Sequence, residues 1–372
     1  MKKILTTAVM LIFLSVIFTG CKEKSNSQNS VSSDFENTDA FKAVLLVGGN
    51  LGDKSFFDAA NAGMLKAEAE LSSAIKVIEM GTDKTKYEPT FRDICAQNWD
   101  LIITGGPDMT DILNQYAADY AHKTFMNYDA SNDVIADNVY SVAYSANELS
   151  YLSGVLAALV TNSGNIENMN EDAKIGFIGG MDIPGINDFL VGYIQGAKDI
   201  NPNIKIVISY AQDFGNPAKG KELALNQYHF GVDVIFSAAG GTGLGILDAA
   251  KELGLYAIGV DSDQALLFAD TDPVKANQIL SSAIKRIDQV VFNSIKACEE
   301  GTLPVGTYEV LGFNQEGVGI AKNEIYERQV PENIRNSITE IEQQLMNGDI
   351  QVITAIGMLP EELDNIRKSV AP

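Results

Sequence analysis

Apolar, β-branched runs recur along this chain, and each is followed by a stretch with the apolar spacing of a helix. Continuously apolar strands that alternate with amphipathic helices are typical of a parallel sheet with helices on both faces. The pattern therefore predicts an α/β protein. The predicted strands span residues 43–47, 75–78, 101–104, 125–128, 175–178, 204–210, 232–237 and 256–260.

The strand and helix pattern occurs twice, with breaks near residues 140–149 and 261–272. Two units of about 100–150 residues match the usual size of a domain. In open sheets of this kind a ligand binds beyond the carboxyl ends of the strands. We therefore expect the residues that follow strands to form the functional site.

Glycines, aspartates and a phenylalanine follow the predicted strands. Glycine permits a tight turn and lets a ligand approach the backbone, although turn geometry alone explains many such glycines. Convergence of several strand ends predicts one shared crevice. The residues are Gly48 to Asn50, Gly105 to Pro107, Asp129, Gly179 and Gly180, Phe214, Gly240 and Gly241, and Asp261.

The amino terminus has the pattern of an export signal. Lys2 and Lys3 precede an apolar run from Ile4 to Phe18, and small residues lead to Cys21. The segment resembles a bacterial lipoprotein signal, in which residues 1–20 are removed and the cysteine is acylated. An uncleaved membrane anchor is less favoured, because the 15 apolar residues fall short of the ~20 that a spanning helix needs.

Residues 21–40 are polar, rich in Ser and Asn, and without apolar periodicity. This composition predicts a flexible tether. We expect a protein anchored to the cell membrane through lipid on Cys21 and facing the periplasm or the exterior. Two or more acyl chains would hold it there stably.

The formal charge of the chain is −22, and it becomes −24 once Lys2 and Lys3 are removed. A strongly acidic protein is repelled by nucleic acid and by anionic membrane surfaces. We therefore expect no nucleic-acid partner, and a small neutral or cationic ligand is compatible with this charge.

Besides Cys21 the chain has only Cys95 and Cys298, one in each half. They lack metal-ligand spacing, and free thiols are favoured over a disulfide. His122 and His229 are the only histidines, which lowers the expectation of histidine-dependent catalysis or of a metal site. We expect no metal and no cofactor.

Two short patterns used by enzymes occur without their companion residues. Residues 215–221 have the spacing of a phosphate-binding loop, but Glu222 stands where Ser or Thr would hold Mg²⁺. Ser282 to Lys285 fits an S-x-x-K pattern, but the partner motifs of acyl enzymes are missing. We therefore expect a protein that is not an enzyme.

Six longer motifs stand in order along the chain: Asp53 to Phe56, Tyr151 to Gly154, Lys174 to Gly180, Ala238 to Gly243, Ile258 to Gln264 and Ser281 to Asp288. Together they resemble the basic membrane protein family of substrate-binding lipoproteins, which includes the spirochaetal purine nucleoside receptors. The resemblance runs from about residue 42 to 320. It implies a type I periplasmic-binding-protein fold, in which two α/β lobes joined by crossover strands close on a ligand like a hinge.

The resemblance and the two breaks together predict the lobe boundaries. We expect residues 41–141 and 264–306 to form the N-terminal lobe, and residues 142–263 and 307–372 to form the C-terminal lobe.

The resemblance also implies a site. In the family two aromatic residues sandwich a nucleoside base, while acidic residues, a glycine and a lysine hold base and sugar. Stacking is worth ~1–3 kcal/mol per base, and carboxylates accept hydrogen bonds from sugar hydroxyls. Core packing of the phenylalanines and helix capping by the aspartates remain the alternatives. The residues carried over are Phe56 and Phe214 for the sandwich, Asp129 as a polar contact, Gly240 and Asp261 for the ribose, and Lys285 beside them.

Val47 and Phe57 depart from the nucleoside-binding members, which usually carry Asp and Asn at these positions. The loss of a hydrogen-bond partner costs a ligand that needs it ~1–3 kcal/mol. These departures keep open an alternative, namely a receptor for a non-nucleoside metabolite or signal with the same fold.

The predicted function is the solute-binding component of an ABC importer, with a nucleoside as ligand, a purine nucleoside as the first candidate and an ABC permease as partner. A nucleoside hydrolase, which would need an activated water, and a surface adhesin with a vestigial pocket are further alternatives.

Overall fold

The computed structural model describes residues 40–130, 136–164 and 166–372. The predicted signal, the predicted lipid acceptor Cys21 and the predicted tether up to residue 39 lie outside the described residues.

The described part of the chain begins with alternating strands and helices. Strand β1 is buried along nearly its whole length, as expected for a strand covered on both faces. In order, the elements are β1 (Lys42–Val47), α1 (Phe56–Leu71), β2 (Ala74–Glu79), α2 (Tyr87–Cys95), β3 (Leu101–Gly105), α3 (Pro107–Tyr116), β4 (Phe125–Tyr128) and β5 (Val139–Tyr144).

The central part of the chain repeats the alternation. Its elements are α4 (Ala146–Thr161), β6 (Lys174–Gly179), α5 (Pro184–Ile200), β7 (Lys205–Tyr210), α6 (Pro217–His229), β8 (Val234–Ala238), α7 (Gly243–Leu253), β9 (Tyr256–Asp261), α8 (Gln264–Ala269), α9 (Pro273–Asn277) and β10 (Ile279–Lys285).

The last part of the chain adds one strand to each of the two sheets. It contains α10 (Ile287–Glu299), β11 (Thr307–Leu311), β12 (Val318–Ile320), α11 (Glu324–Gln329), α12 (Glu332–Met346) and α13 (Pro360–Ser369). Short 3-10 helices lie at Lys84–Lys86, Ala117–Tyr120, Gly240–Thr242 and Phe313–Gln315.

The strands form two six-stranded sheets, with the orders β11-β5-β4-β3-β1-β2 and β12-β10-β9-β8-β6-β7. Among the residues that the structure describes, every pairing is parallel except that of β12 with β10, which is antiparallel. The predicted α/β class, with one sheet in each of two lobes, is confirmed.

The sheets differ from the predicted lobe boundaries in two places. Strand β10 pairs with β9 in the second sheet, because the break at 261–272 contains the short helix α8 and is not a passage between lobes. Strand β11 pairs with β5 in the first sheet. It is mostly exposed, so its sequence lacks the apolar run by which the other strands were recognised.

Over residues 40–372, apart from the undescribed 131–135 and 165, the chain passes between the two sheets three times, at Ser145, at Arg286 and at Gly312 to Gly317. The crossings are hydrogen-bonded to one another: the Ser145 amide donates to the Leu311 carbonyl at 3.0 Å, and the Arg286 amide donates to the Gly317 carbonyl at 2.9 Å. The ends of β5 and β10 therefore lie directly at the junction of the two lobes.

Helices α4 and α5 pack closely in the second lobe because small residues let their backbones approach. A Cβ atom on Gly154 would lie 2.1 Å from the Tyr193 carbonyl oxygen, and one on Gly196 would lie 2.1 Å from the Tyr151 carbonyl oxygen. Neither position has room for a side chain. The glycine of the Tyr151 to Gly154 motif thus has a packing role.

Cys95 and Cys298 are both free thiols, as predicted. Burial raises the pKa of Cys95 to about 12 and that of Cys298 to about 11, so both remain protonated at neutral pH. Within the described ranges no helix is both long enough and apolar enough to cross a bilayer.

Candidate ligand-binding site

The loop before helix α1 is held in place by the carboxylate of one of its own residues, Asp53. The Asp53 carboxylate accepts hydrogen bonds from the amides of Ser55 at 3.0 Å, Phe57 at 2.9 Å and Asp58 at 3.1 Å. Ser55 is the N-cap of α1, and Phe57 and Asp58 lie in its first turn, where helix N–H groups lack partners within the helix. Burial raises the pKa of Asp53 although the three amides oppose the shift. Asp53 thereby fixes the positions of Ser55 and Phe56.

The same loop is bonded directly to the second lobe. The Ser55 hydroxyl donates to Asp261 Oδ2 at 2.5 Å, and the Gln264 side-chain amide donates to the Lys54 carbonyl at 3.0 Å. The Ser262 hydroxyl donates to the Ser55 carbonyl at 3.3 Å. We call these five residues the interlobe clasp, because they join the start of α1 to the end of β9.

A charged centre lies beside the interlobe clasp. The Lys285 ammonium contacts Asp129 Oδ1 at 2.7 Å, and the lysine side chain is only 5% exposed. Asp261 is 6% exposed. Burial raises the pKa of Asp261 to about 6; Lys285 and Ser55 oppose this shift, while Asp129 and Asp53 reinforce it by repulsion.

This centre holds three carboxylates, those of Asp53, Asp129 and Asp261, against the single ammonium of Lys285. Ionised carboxylates only accept hydrogen bonds. The centre is therefore suited to a neutral ligand that presents several O–H or N–H donors, and it is poorly suited to an anion.

The two strand-end aspartates share an uncommon backbone conformation. Asp129 has φ 53° and Asp261 has φ 64°, in the left-handed region that few non-glycine residues occupy. Such residues cluster at ligand sites, where the surrounding structure holds them in place. In both cases the strand ends abruptly at its carboxyl edge.

Aromatic rings surround the Lys285 ammonium, which lies 4.9 Å from the centroid of Phe189 and 5.6 Å from that of Tyr144. Close by, the Asp188 carboxylate accepts hydrogen bonds from the amides of Asn147 at 3.0 Å and Ala355 at 2.8 Å. Burial raises the pKa of Asp188, and Lys285 acts against that shift. The lysine is thus positioned by rings and carboxylates from both lobes.

Phe214 lies in the loop after β7 and is 39% exposed. Its ring packs on the backbone of Gly180, where a Cβ atom would come within 2.3 Å of ring carbons. Gly240 lies beside Phe214 with φ 53°. A Cβ atom on Gly241 would lie 3.5 Å from the Asp53 Cβ, so the glycine loop that packs on Phe214 also reaches the first lobe.

Phe56 is the first residue of α1 and is half-buried. Its ring centroid lies 5.1 Å from that of Tyr128 and 5.3 Å from that of Phe57. Phe56 thus belongs to an aromatic group in the first lobe, while Phe214 belongs to the second.

The structure brings several predicted site residues into direct contact and links others through neighbours. Asp129 pairs with Lys285, Phe214 packs beside Gly240, and Phe56 adjoins Ser55, which bonds Asp261. Their roles towards a ligand stay predictions.

Sequence reasoning did not assign roles to Asp53, Ser55, Gln264 or Tyr128. The first three lie inside the motifs that carried the family resemblance, so motif membership was the available signal. Phe189 had no signal, because only the packing of α5 places its ring beside Lys285.

The two departures from the family pattern are packed side chains. Val47 is fully buried at the end of β1. The Phe57 ring lies against Gly49, where a Cβ atom would come within 2.5 Å of a ring carbon. Both residues make the wall of the first lobe apolar near the strand ends.

Comparison with known proteins agrees with this architecture. Residues 40–352 match the Bmp family, described as ABC transporter substrate-binding protein PnrA-like. The chain is 33% identical over 326 residues to basic membrane protein D of Borreliella burgdorferi, which covers 86% of this chain and 90% of that protein. It is 28% identical over 374 residues to the ABC transporter nucleoside-binding protein BmpA of Lactococcus lactis subsp. cremoris, with 94% and 99% covered.

A solute-binding protein of an ABC transporter system from Aeropyrum pernix K1 has a similar structure, with a TM-score of 0.76 and 25% identity. The match covers 89% of this chain and 99% of that one. The two sheets and this likeness identify the type I periplasmic-binding-protein fold. Proteins of this class bind small molecules outside the cytoplasm and interact with a permease, which is a non-enzymatic role. The chain therefore belongs to the Bmp family of PnrA-like substrate-binding proteins of ABC transporters.

Proposed function

We propose that this protein is the lipid-anchored receptor of an ABC importer for a nucleoside, with a purine nucleoside as the first candidate. The observation that carries the proposal is the charged centre at the lobe junction, in which Asp129, Asp261 and Lys285 lie together at strand ends. A ribose presents neutral hydroxyl donors of the kind that such carboxylates accept.

Two aromatic residues support the proposal that the ligand contains a nucleoside base. Phe56 opens α1 beside Ser55 of the interlobe clasp, and Phe214 is partly exposed beside Gly240. Rings so placed on the two lobes would close on a planar base when the lobes come together. The relative from Lactococcus lactis, whose name describes a nucleoside-binding protein, supports the same ligand class.

Calorimetric titration with adenosine, guanosine, inosine, uridine, free adenine and ribose tests the ligand class. We expect heat with the nucleosides and much weaker or no heat with ribose alone. The matched variants are Phe214→Ala and Phe230→Ala, because Phe230 is an exposed phenylalanine at 54% that caps α6 in the same lobe. Only the former should weaken binding, by about 5- to 150-fold for a lost stack of ~1–3 kcal/mol. A wild-type protein that binds none of the nucleosides would refute the proposal.

The anchoring half of the proposal rests on the signal-like sequence before Cys21. Cys21→Ala should release the protein from the membrane fraction in a producing cell, and it should abolish labelling with a radioactive fatty acid. Cys298→Ala, which removes a thiol in the folded part, is the control and should stay membrane-bound. If Cys21→Ala is found in the membrane fraction to the same extent as Cys298→Ala and the wild type, the proposed anchor is contradicted.

A second candidate, a receptor for a non-nucleoside metabolite, is favoured by Val47 and Phe57. Both are apolar and packed in the first lobe, so a ligand that needs polar partners there would lack them. Mass spectrometry of the molecule released by denaturing freshly purified protein distinguishes the candidates, since a non-nucleoside mass that rebinds would favour the second.

A further inference from the structure

Tyr128 is the last residue of β4, and its side chain is fully buried. Its hydroxyl has no hydrogen-bond partner among the described residues. Buried hydroxyls in native proteins nearly always have a partner, and each exception calls for an explanation. The position of this hydroxyl suggests one.

The Tyr128 ring extends over the neighbouring strand. Tyr128 pairs in register with Gly105 at the end of β3, and a Cβ atom on Gly105 would lie 2.1 Å from Cζ of the ring. The ring tip therefore occupies the space that any other residue at position 105 would fill. Phe56 also packs against the ring, with centroids 5.1 Å apart.

The hydroxyl end of Tyr128 lies within electrostatic reach of the charged centre. Burial raises the pKa of Tyr128 well above its ordinary value, and Asp53, Asp129 and Asp261 all raise it further. The group therefore keeps its proton at any physiological pH. It is a neutral donor beside three carboxylates that can only accept.

The Lys285 ammonium gives one of its three N–H donors to Asp129, at 2.7 Å, and it is the charged donor of this centre. A ligand with both donor and acceptor atoms needs a donor from the protein as well as the carboxylates. The Tyr128 hydroxyl is a donor that remains uncommitted among the described residues.

We propose that the Tyr128 hydroxyl is a further ligand contact, which donates a hydrogen bond to an acceptor atom such as a ring nitrogen or carbonyl oxygen of the bound base. This assignment rests on the proposed nucleoside function for the identity of the acceptor. It makes Tyr128 a specificity residue, because ligands without an acceptor at that point gain nothing from it.

Tyr128→Phe tests the assignment, since it removes one oxygen and leaves the ring that packs on Phe56. The matched control is Tyr193→Phe. Tyr193 is also fully buried, and its hydroxyl has no partner within the described part of the chain. It lies in α5, and its pKa is raised by burial and by Tyr228, whereas carboxylates raise that of Tyr128. We expect Tyr128→Phe to weaken the affinity for the best-bound nucleoside about 5- to 10-fold in calorimetry. Tyr193→Phe should leave the affinity unchanged.

Both variants lose an unpartnered buried hydroxyl, so thermal unfolding without ligand should show melting temperatures equal to or above that of the wild type. If Tyr128→Phe binds every nucleoside as tightly as the wild type, this inference is overturned while the proposed function stands. Equal weakening by the two variants would also overturn it, because the effect would then not be local to the site. A wild-type protein that binds no nucleoside refutes the proposed function, and this inference with it.

Discussion

Ser55 provides a test of whether closure of the lobes contributes to affinity, because it bonds the second lobe from the first. In Ser55→Ala the hydrogen bond from the hydroxyl to Asp261 Oδ2, 2.5 Å long in the wild type, is lost. The helix start is unaffected, because Asp53 contacts the Ser55 amide and not its side chain. The change therefore acts on the interlobe clasp alone.

The size of the effect follows from the type of bond. A hydrogen bond to a charged group contributes about 1.5–3 kcal/mol. This bond exists only while the lobes are together, so its loss lowers the population of the closed form that holds the ligand. A loss of about 1.5–3 kcal/mol corresponds to roughly 10- to 150-fold weaker binding, at 1.4 kcal/mol for each factor of ten.

The assay is calorimetric titration of wild type and Ser55→Ala with the tightest-binding nucleoside, alongside small-angle scattering with and without ligand. Ser73→Ala is the control, because Ser73 is also buried, at 3% exposure, and its hydroxyl has no partner among the described residues. We expect Ser73→Ala to bind like the wild type. The free Ser55→Ala protein should have a radius of gyration equal to or above that of the free wild type.

An unchanged dissociation constant for Ser55→Ala would refute the reasoning, since it would mean that the bond to Asp261 is equally present with and without ligand. Weakened binding by Ser73→Ala of the same size would refute it as well.

Three further predictions concern the charged centre and the Tyr128 ring. Lys285→Met leaves Asp129 without its cation, and we expect the free energy of unfolding in urea to fall by about 2 kcal/mol. The loss is below the ~3–5 kcal/mol of a fully buried pair because Asp129 is 26% exposed. Adding Asp129→Asn should restore part of the lost stability, and an unchanged free energy of unfolding in Lys285→Met would contradict this prediction. Because burial raises the pKa of Asp261 to about 6, the folded protein holds a proton that the unfolded chain releases near pH 4, so this group's contribution to stability falls as the pH rises from about 4 to 6. Asp261→Asn should lack that fall in ligand-free unfolding curves, and identical pH profiles would count against the assigned pKa. Gly105→Ala should displace the Tyr128 ring, because the new Cβ at position 105 would lie 2.1 Å from Cζ of Tyr128. We expect lower thermal stability and weaker ligand binding. Wild-type stability and affinity would show that the ring does not need this space.

Sequence patterns predicted the class of the fold because strands and helices are encoded locally. The run Leu101 to Ile103 is apolar at every position, and the structure buries it on both faces. The same reasoning failed for β10 and β11. Assignment of a strand to a sheet depends on which neighbour it reaches after a crossing, and three crossings at the lobe junction leave several arrangements compatible with one local pattern.

The candidate site was predictable as far as residue types at strand ends allow. Asp129 and Asp261 follow predicted strands, as the general rule for parallel sheets requires. Lys285 was named from the family resemblance alone, because the strand β10 that it ends was not predicted. Tyr128 was not recognised, because a tyrosine in an apolar strand is indistinguishable from a core residue until its ring is seen to cross Gly105.

The sequence by itself determined that this chain alternates strands and helices and places aspartates and glycines at strand ends, because these properties depend on neighbours within a few residues. Only the tertiary structure decided which of them meet. Ser55 bonds Asp261 from 206 positions away, and Lys285 pairs with Asp129 from 156 positions away. Hydrogen bonds and electrostatic interactions depend on distance in space, and the three crossings between the lobes set that distance.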